Sequence, residues 1–364
     1  MSIFWIVLAA LAMAGLQGLI FGRFNLKRLE YRRYFSRPRV FEGESLEMVE
    51  VLRNRKPLPV PWLRIESRIS PFLRFTGRQG DERSISADQY HRSLFFLPPF
   101  SQIVRRHPVK CLKRGQYQVS SAAITAGDLF ALSRKSRQVD LNCQVTVYPR
   151  LLEQEFDLPS SRWQGDVTVR RFIQPDPFLV AGIRDYMPGD AMRDVHWAAT
   201  ARTGSLKVKQ RDYTADPRLM VLLNVQMTEE QWGDLMEYEQ EIIEQGIRLA
   251  ATLCVKAVES GMETGFGCNG SLENQSVLVP ARNGRDQIET LLTVMARMTL
   301  HREMSFNTFL DRLVDLTGAD ILVLSAYDSP SLRAGMARLA ERGNSVQLRL
   351  LEGGEGHAQG MGAD

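Results

Sequence analysis

From Ile3 to Gly22 the chain carries about twenty consecutive residues without a charge, and no other stretch restricts its folding as severely. In hydrocarbon every backbone N–H and C=O must find its partner within the chain, so such a run crosses a bilayer as a helix. At about 1.5 Å per residue it spans the ~30 Å apolar core. Its first half is bulky (Phe4, Trp5, Ile6, Val7, Leu8) and its second half is rich in small residues. Arg23, Lys27, Arg28, Arg32, Arg33, Arg37 and Arg39 follow, opposed only by Glu30, and nothing basic precedes the run. The positive-inside bias then predicts a single-pass protein of the cell's inner (cytoplasmic) membrane. The bulk of the chain lies in the cytoplasm and the basic cluster rests on anionic headgroups. Ala12-Met13-Ala14 imitates a signal-peptide cleavage site, but a charged n-region is missing and the apolar stretch continues through Phe21. The helix of a soluble domain would show an amphipathic stripe, and this run is apolar all round.

At 364 residues the chain has room for an anchor and two domains. A content of 44% hydrophobic and 24% charged residues excludes global disorder. A net charge of +4 does not argue for nucleic acid. Cys111, Cys143, Cys254 and Cys268 form no C-x-x-C pair, which leaves metal knuckles and redox motifs unsupported. Cys111 and Cys143 would bridge only in an extracytoplasmic domain; buried free thiols in a reducing compartment are the reading adopted.

The pattern changes along the chain in a definite order. Residues 1–22 form the anchor and 23–37 a basic juxtamembrane segment. Residues 38–150 read as a β-rich, sandwich-like domain of immunoglobulin-like shape: Ser45 to Val51 and Trp62 to Ser67 alternate, with further strand-like runs at Leu94 to Leu97, Gly115 to Ser120 and Cys143 to Tyr148. Residues 77–90 are polar and read as a loop; 151–181, with Pro175-Asp176-Pro177, read as a connector. From 218 onward strands and helices alternate. Leu219 to Leu223 and Ile321 to Leu324 are continuous apolar runs suited to strands buried on both faces. Tyr238 to Glu259, Gln287 to Met298, Asn307 to Leu316 and Ser331 to Glu341 read as helices, and Val346 to Leu351 as a closing strand. Such alternation predicts an α/β doubly wound sheet. The Gly-rich tail, 353–364, reads as disordered.

Between connector and sheet lies the most distinctive segment, 182–209. Pro188-Gly189-Asp190 is turn chemistry. Arg193, His196 and Trp197 recur at spacings of three and four, so a helix capped by Asp190 would place them on neighbouring faces. After Gly204, Leu206 to Lys209 alternates like a strand with one wet face. Arg184, Tyr186, Pro188, Gly189, Asp190, Arg193, Trp197, Ala201 and Arg202 together resemble the signature of the domain-of-unknown-function 58 family. His196 departs from that pattern, which usually has Asp or Asn there. Ala126-Gly127-Asp128-Leu129-Phe130 resembles the run that closes the β region in members. The resemblance implies a fold class of N-terminal transmembrane helix, β-rich domain, and then, over 182–352, the signature with a von Willebrand factor type A-like (Rossmann-like) domain.

Type A domains that bind divalent metal place Asp-x-Ser-x-Ser after their first strand, where carboxylate and hydroxyls meet a hard cation. Here that place reads Asn224-Val225-Gln226-Met227-Thr228, with Asn224, Gln226 and Thr228 in the ligand positions. No carboxylate remains, so the site reads as degenerate and no metal is expected. Asp328 reads as an ordinary loop residue. Within the signature, Arg184, Asp185, Tyr186, Pro188, Gly189, Asp190, Arg193, Asp194, His196 and Arg202 read as a structural or partner-binding polar network, with Trp197 its apolar plug. The competing reading makes His196 a general base in an enzyme of cell-envelope metabolism using Asp190, His196 and Arg202. No cysteine nucleophile is near, and Ser205 lacks an elbow motif, so no catalytic residue is assigned. The basic run Val104 to Arg114 reads as the wet face of two joined strands rather than a nucleic-acid site. No phosphate-binding loop, dinucleotide fingerprint or H-E-x-x-H is present, and no cofactor is expected. The resemblance implies as partners a MoxR-type AAA+ ATPase and other type A-domain proteins. The chain is then expected to be a membrane-anchored adaptor in assembly or maturation of protein complexes.

Overall fold

The computed structural model describes residues 2–75, 90–128, 134–153, 180–187, 192, 195–211, 218–231 and 235–351. It divides into two units, residues 1–152 with 292–298, and residues 153–291 with 299–364.

The first unit begins with α1 (Ser2–Phe24). Ile3–Phe21 within it is long and apolar enough to cross a membrane, a test that a signal sequence also passes. The basic segment predicted to follow as a juxtamembrane tail is instead strand β1 (Leu29–Phe35) from Leu29 on. The reason is its alternation: Leu29, Tyr31, Arg33 and Phe35 face inward while Arg32 and Tyr34 face water. The exit of α1 is held by side chains: Asn25 Nδ2 donates to Gly127 O at 2.6 Å, and Lys56 Nζ donates to Asn25 O and Lys27 O.

Next come β2 (Arg39–Phe41), β3 (Ser45–Asn54), β4 (Val60–Arg68), β5 (Leu73–Phe75), β6 (Tyr90–Leu97), β7 (Gln102–Cys111), β8 (Gly115–Gly127) and β9 (Arg134–Tyr148). They make two sheets, ordered β1-β3-β7-β5 and β2-β9-β8-β4-β6. Inward side chains of both, among them Leu52, Leu63, Ile65, Ile124 and Val145, form one apolar core. Cys111 and Cys143 lie in that core as free thiols, so the bridge weighed for an extracytoplasmic domain is absent. The basic run Val104 to Arg114 is β7 with the turn into β8; Arg105, Arg106 and Lys110 are exposed and Val109 and Cys111 buried. The expected loop at 77–90 lies, but for Tyr90, outside the described residues, as do Leu129 and Phe130.

In the second unit β10 (Val180–Asp185) pairs antiparallel with β11 (Lys207–Arg211), with α2 (Trp197–Thr203) between them in sequence. β10 takes up the last two residues of the predicted connector, most of which lies outside the described residues, as does the tail 353–364. Then follow β12 (Arg218–Leu223), α3 (Glu237–Glu259), β13 (Glu263–Leu272), β14 (Gln275–Arg282), α4 (Arg285–Arg297), β15 (Thr299–Arg302), α5 (Phe306–Arg312), β16 (Asp320–Ser325), α6 (Pro330–Glu341) and β17 (Ser345–Leu350). The sheet is ordered β14-β13-β12-β16-β17, with β15 pairing β13. β13, β12, β16 and β17 run parallel to one another, while β14 and β15 are antiparallel to β13.

The two apolar runs singled out in the sequence are the central strands β12 and β16. Their alternation sends side chains to both faces. Met220, Leu222, Ile321 and Val323 pack with Phe306, Phe309, Leu332 and Leu339 of α5 and α6. Leu223 points the other way, toward Gly246 of α3. α5 is shorter than the predicted 307–316, ending where Leu313 caps it in a non-helical conformation.

Candidate functional site

Among the described residues, three places concentrate polar chemistry. The first is the signature. Arg184 and Asp185 lie on β10 opposite Val208 and Lys207 of β11. Lys207 Nζ donates to Asp185 Oδ1 at 2.6 Å, Arg184 Nη1 to the Asp185 carbonyl at 3.0 Å, and Tyr186 N to Leu206 O at 3.0 Å. Pro188, Gly189, Asp190, Arg193 and Asp194 lie outside the described residues. The helix expected to begin at Asp190 begins at Trp197. Its cap is His196, whose Nδ1 accepts from Ala199 N at 3.1 Å. The helix cannot start earlier because Val195 is held in a bridge to Val208 and His196 N donates to Lys207 O at 2.7 Å. His196 caps α2 and Trp197 opens it, so the two do not lie within a helix already under way, as the spacing suggested. Gly204 ends α2 with φ 71°, in the left-handed region. Trp197 is no plug: it is 63% exposed, and the buried pair is Val195 with Val208. Arg202 lies exposed in the last turn of α2, where a cation suits the helix dipole.

The second place is the tip of β12. Asn224 and Gln226 are buried, and a third amide that sequence reasoning missed, Asn269 of β13, sits beside them. Asn224 Nδ2 donates to Ser325 Oγ at 3.1 Å, while its Oδ1 accepts from Gln226 N at 3.0 Å. Asn269 Oδ1 accepts from Val225 N at 2.9 Å, and its Nδ2 donates to Met304 O at 3.2 Å. Gln226 Oε1 accepts from Phe306 N at 2.7 Å. At the segment read from the sequence as a degenerate metal site, these amides bond backbone and one another. The Thr228 carbonyl accepts from Gln226 Nε2 and from Gln231 N, both at 3.4 Å. Asp328 is engaged by Arg333 through two hydrogen bonds, at 2.8 and 2.5 Å, which hold its carboxyl below its ordinary value.

The third place lies inside the sandwich and was not singled out from the sequence. Arg33 of β1 sits opposite Glu50 of β3, and their side chains form an ion pair wholly out of solvent. Tyr31 OH donates to Glu50 Oε1 at 2.7 Å. Ser93 Oγ of β6 donates to Glu50 Oε2 at 3.2 Å, and His107 Nε2 of β7 lies 3.1 Å from the same oxygen. Ser93 Oγ is also 3.4 Å from His91 Nε2. Burial alone would push the Glu50 carboxyl up; the His107 hydrogen bond and the Arg33 charge outweigh it and hold the carboxyl well below the carboxylate range. Burial pushes the Tyr31 hydroxyl up, keeping it a neutral donor, and pushes the Cys143 thiol up to about 11. The signal available in the sequence was phase: Leu46, Met48, Glu50 and Leu52 alternate, which puts a carboxylate on the strand's apolar face.

Comparison with known proteins gives distant likenesses. A Salmonella alpha-2-macroglobulin mutant is similar over 34% of this chain, which spans only 7% of that protein, at 17% identity and a TM-score of 0.23. The CARDB domain of a Pyrococcus furiosus protein, solved in complex with di-metal ions, is similar over 33% of this chain and 92% of its own, at 14% identity and a TM-score of 0.20. A non-cellulosomal cohesin from Archaeoglobus fulgidus is similar over 32% and 91%, at 9% identity and a TM-score of 0.23. The uncharacterized protein YeaD of Bacillus subtilis (strain 168) is 20% identical over 296 residues, covering 81% of this chain and 67% of that protein. Residues 182–351, which run from the signature to the end of β17, match the family described as protein of unknown function DUF58.

Proposed function

We propose that this chain is a membrane-anchored adaptor. In this reading α1 is a single pass through the cytoplasmic membrane, the bulk of the chain is cytoplasmic, and residues 182–351 form a doubly wound type A-like domain that receives protein partners. The observation that carries it is the exposure of large apolar side chains through the signature. Met187, Met192 and Trp197 are 62%, 60% and 63% exposed, and Ile183 and Leu206 are exposed with them. These large apolar side chains fall within one segment of the sequence, which favours its being covered by another molecule, and Met and Trp are favoured in such places. The family resemblance supplies the partners: a MoxR-type AAA+ ATPase and other type A-domain proteins. The ATPase provides the energy for assembly or maturation of complexes, and this chain provides location and specificity. Recognition then uses no metal at the β12 tip, whose polar atoms bond one another. The alternative, an enzyme of cell-envelope metabolism using Asp190, His196 and Arg202, finds no support in His196, whose Nδ1 accepts a backbone amide.

The test is affinity purification of the full chain from crosslinked membranes, comparing wild type with Met192→Ser/Trp197→Ala. Exposed positions such as these change stability by about 0.5 kcal/mol or less each, so the melting temperature stays put. An AAA+ ATPase should co-purify with wild type and fall at least ~10-fold with the variant, the loss of about 1.4 kcal/mol. Equal recovery from both proteins, or no ATPase with either, rejects the adaptor reading.

A further inference from the structure

We propose that Glu50, His91 and His107 form a binding site for a zinc-like divalent transition metal that ties together the two sheets of the sandwich. This is independent of the adaptor reading. Glu50 and His107 come from β3 and β7 of one sheet and His91 from β6 of the other. Their donor atoms all lie within 4.8 Å of one another, and the residues are 1%, 6% and 4% exposed. Two imidazoles and a carboxylate are a ligand set that zinc takes, at about 2.0–2.2 Å from each donor. Two donors on one tetrahedral ion then lie ~3.3 Å apart by that geometry. Glu50 Oε2 and His107 Nε2 are already 3.1 Å apart, so one ion replaces the shared proton with little movement of either side chain. His91 needs the larger adjustment, and Ser93 Oγ, between its Nε2 and Glu50 Oε2, marks the direction.

The surroundings suit a ligand held in place. Tyr31 and Arg33 both donate to Glu50 Oε1, which fixes the carboxylate plane and leaves Oε2 toward the imidazoles. Outer contacts of that kind orient a metal's ligands. Phe75 packs with its ring centroid 4.7 Å from that of His91 and 6.0 Å from that of His107, an apolar wall against water. Charge is the opposing consideration, because Arg33 already balances Glu50. A dication whose fourth ligand is water answers it: zinc lowers that water's pKa to about 7. The ion with hydroxide and Glu50 is then neutral, and Arg33 leaves the site at +1. Without metal, the same residues are a proton-shared core network and nothing more.

The full chain, purified in detergent and stripped with chelator, is titrated with Zn²⁺ and with Co²⁺. The expected result is one equivalent bound by metal analysis, a Co²⁺ spectrum of a four-coordinate nitrogen–oxygen site without thiolate charge transfer, and a rise in melting temperature. His91→Asn and His107→Asn should each weaken binding at least ~100-fold. Less than stoichiometric binding by wild type overturns the proposal, as does equal binding by folded variants. Thiolate bands in the Co²⁺ spectrum also overturn it, by placing the ion at a cysteine; this measurement needs no variant to fold.

Discussion

Arg33 and Glu50 show how much a single buried charge depends on its partner. Both side chains are fully out of solvent, and Glu50 gathers donors on both oxygens. Removing one member of such a pair strands the other without water. Arg33→Met is therefore expected to cost about 3–5 kcal/mol, read as a lower denaturation midpoint, while conversion of an exposed neighbour, Arg32→Met, changes little. Lys56 gives a pH dependence with a definite sign. Burial lowers its ammonium from 10.5 to about 8. Between those values the unfolded chain binds more protons than the folded one, so this group's contribution to stability rises with pH from about 8 to about 10.5. Denaturation of wild type and Lys56→Met at pH 8 and pH 10 checks this: the wild-type gain relative to the variant should be positive, and a negative one refutes it.

At the scale of elements, β13 depends on glycine where β14 approaches it. A Cβ on Gly265 would lie 2.7 Å from Val279 O and 2.9 Å from Ala281 N, both backbone atoms, at an irregularity in the pairing of β13 with β14. Backbone cannot move aside without unzipping the ladder, so Gly265→Ala is expected to cost at least about 1–3 kcal/mol. Gly267→Ala meets the side chains of Leu222 and Phe309, which have freedom to turn, and should cost less. Thermal melts of the two variants test the order. The helices teach a related lesson. α3 and α6 were legible to within a residue because their apolar spacing, and Ser329 before Pro330 in α6, write the boundaries locally. α2 was misplaced because its start is fixed by β11: the Val195–Val208 bridge consumes residues that spacing alone would wind into helix.

For the whole molecule, what the sequence determined by itself were the properties that neighbours in the chain enforce. These are an apolar helix long enough for a bilayer, a β-rich part, and a mixed α/β part whose two all-apolar runs became the central strands β12 and β16. The signature residues were legible as a segment, and 182–351 is the stretch that matches a family. Tertiary structure alone decided what those residues do to one another. It turned a basic tail into β1, and it brought Asn269 from 45 positions away to close the amide cluster around Asn224. It also assembled Arg33, Glu50, His91 and His107 from four strands of two sheets into one buried network. The physical reason is range: periodicity and turn chemistry act over a few residues, whereas burying a charge is settled only when distant strands deliver its partners and exclude water.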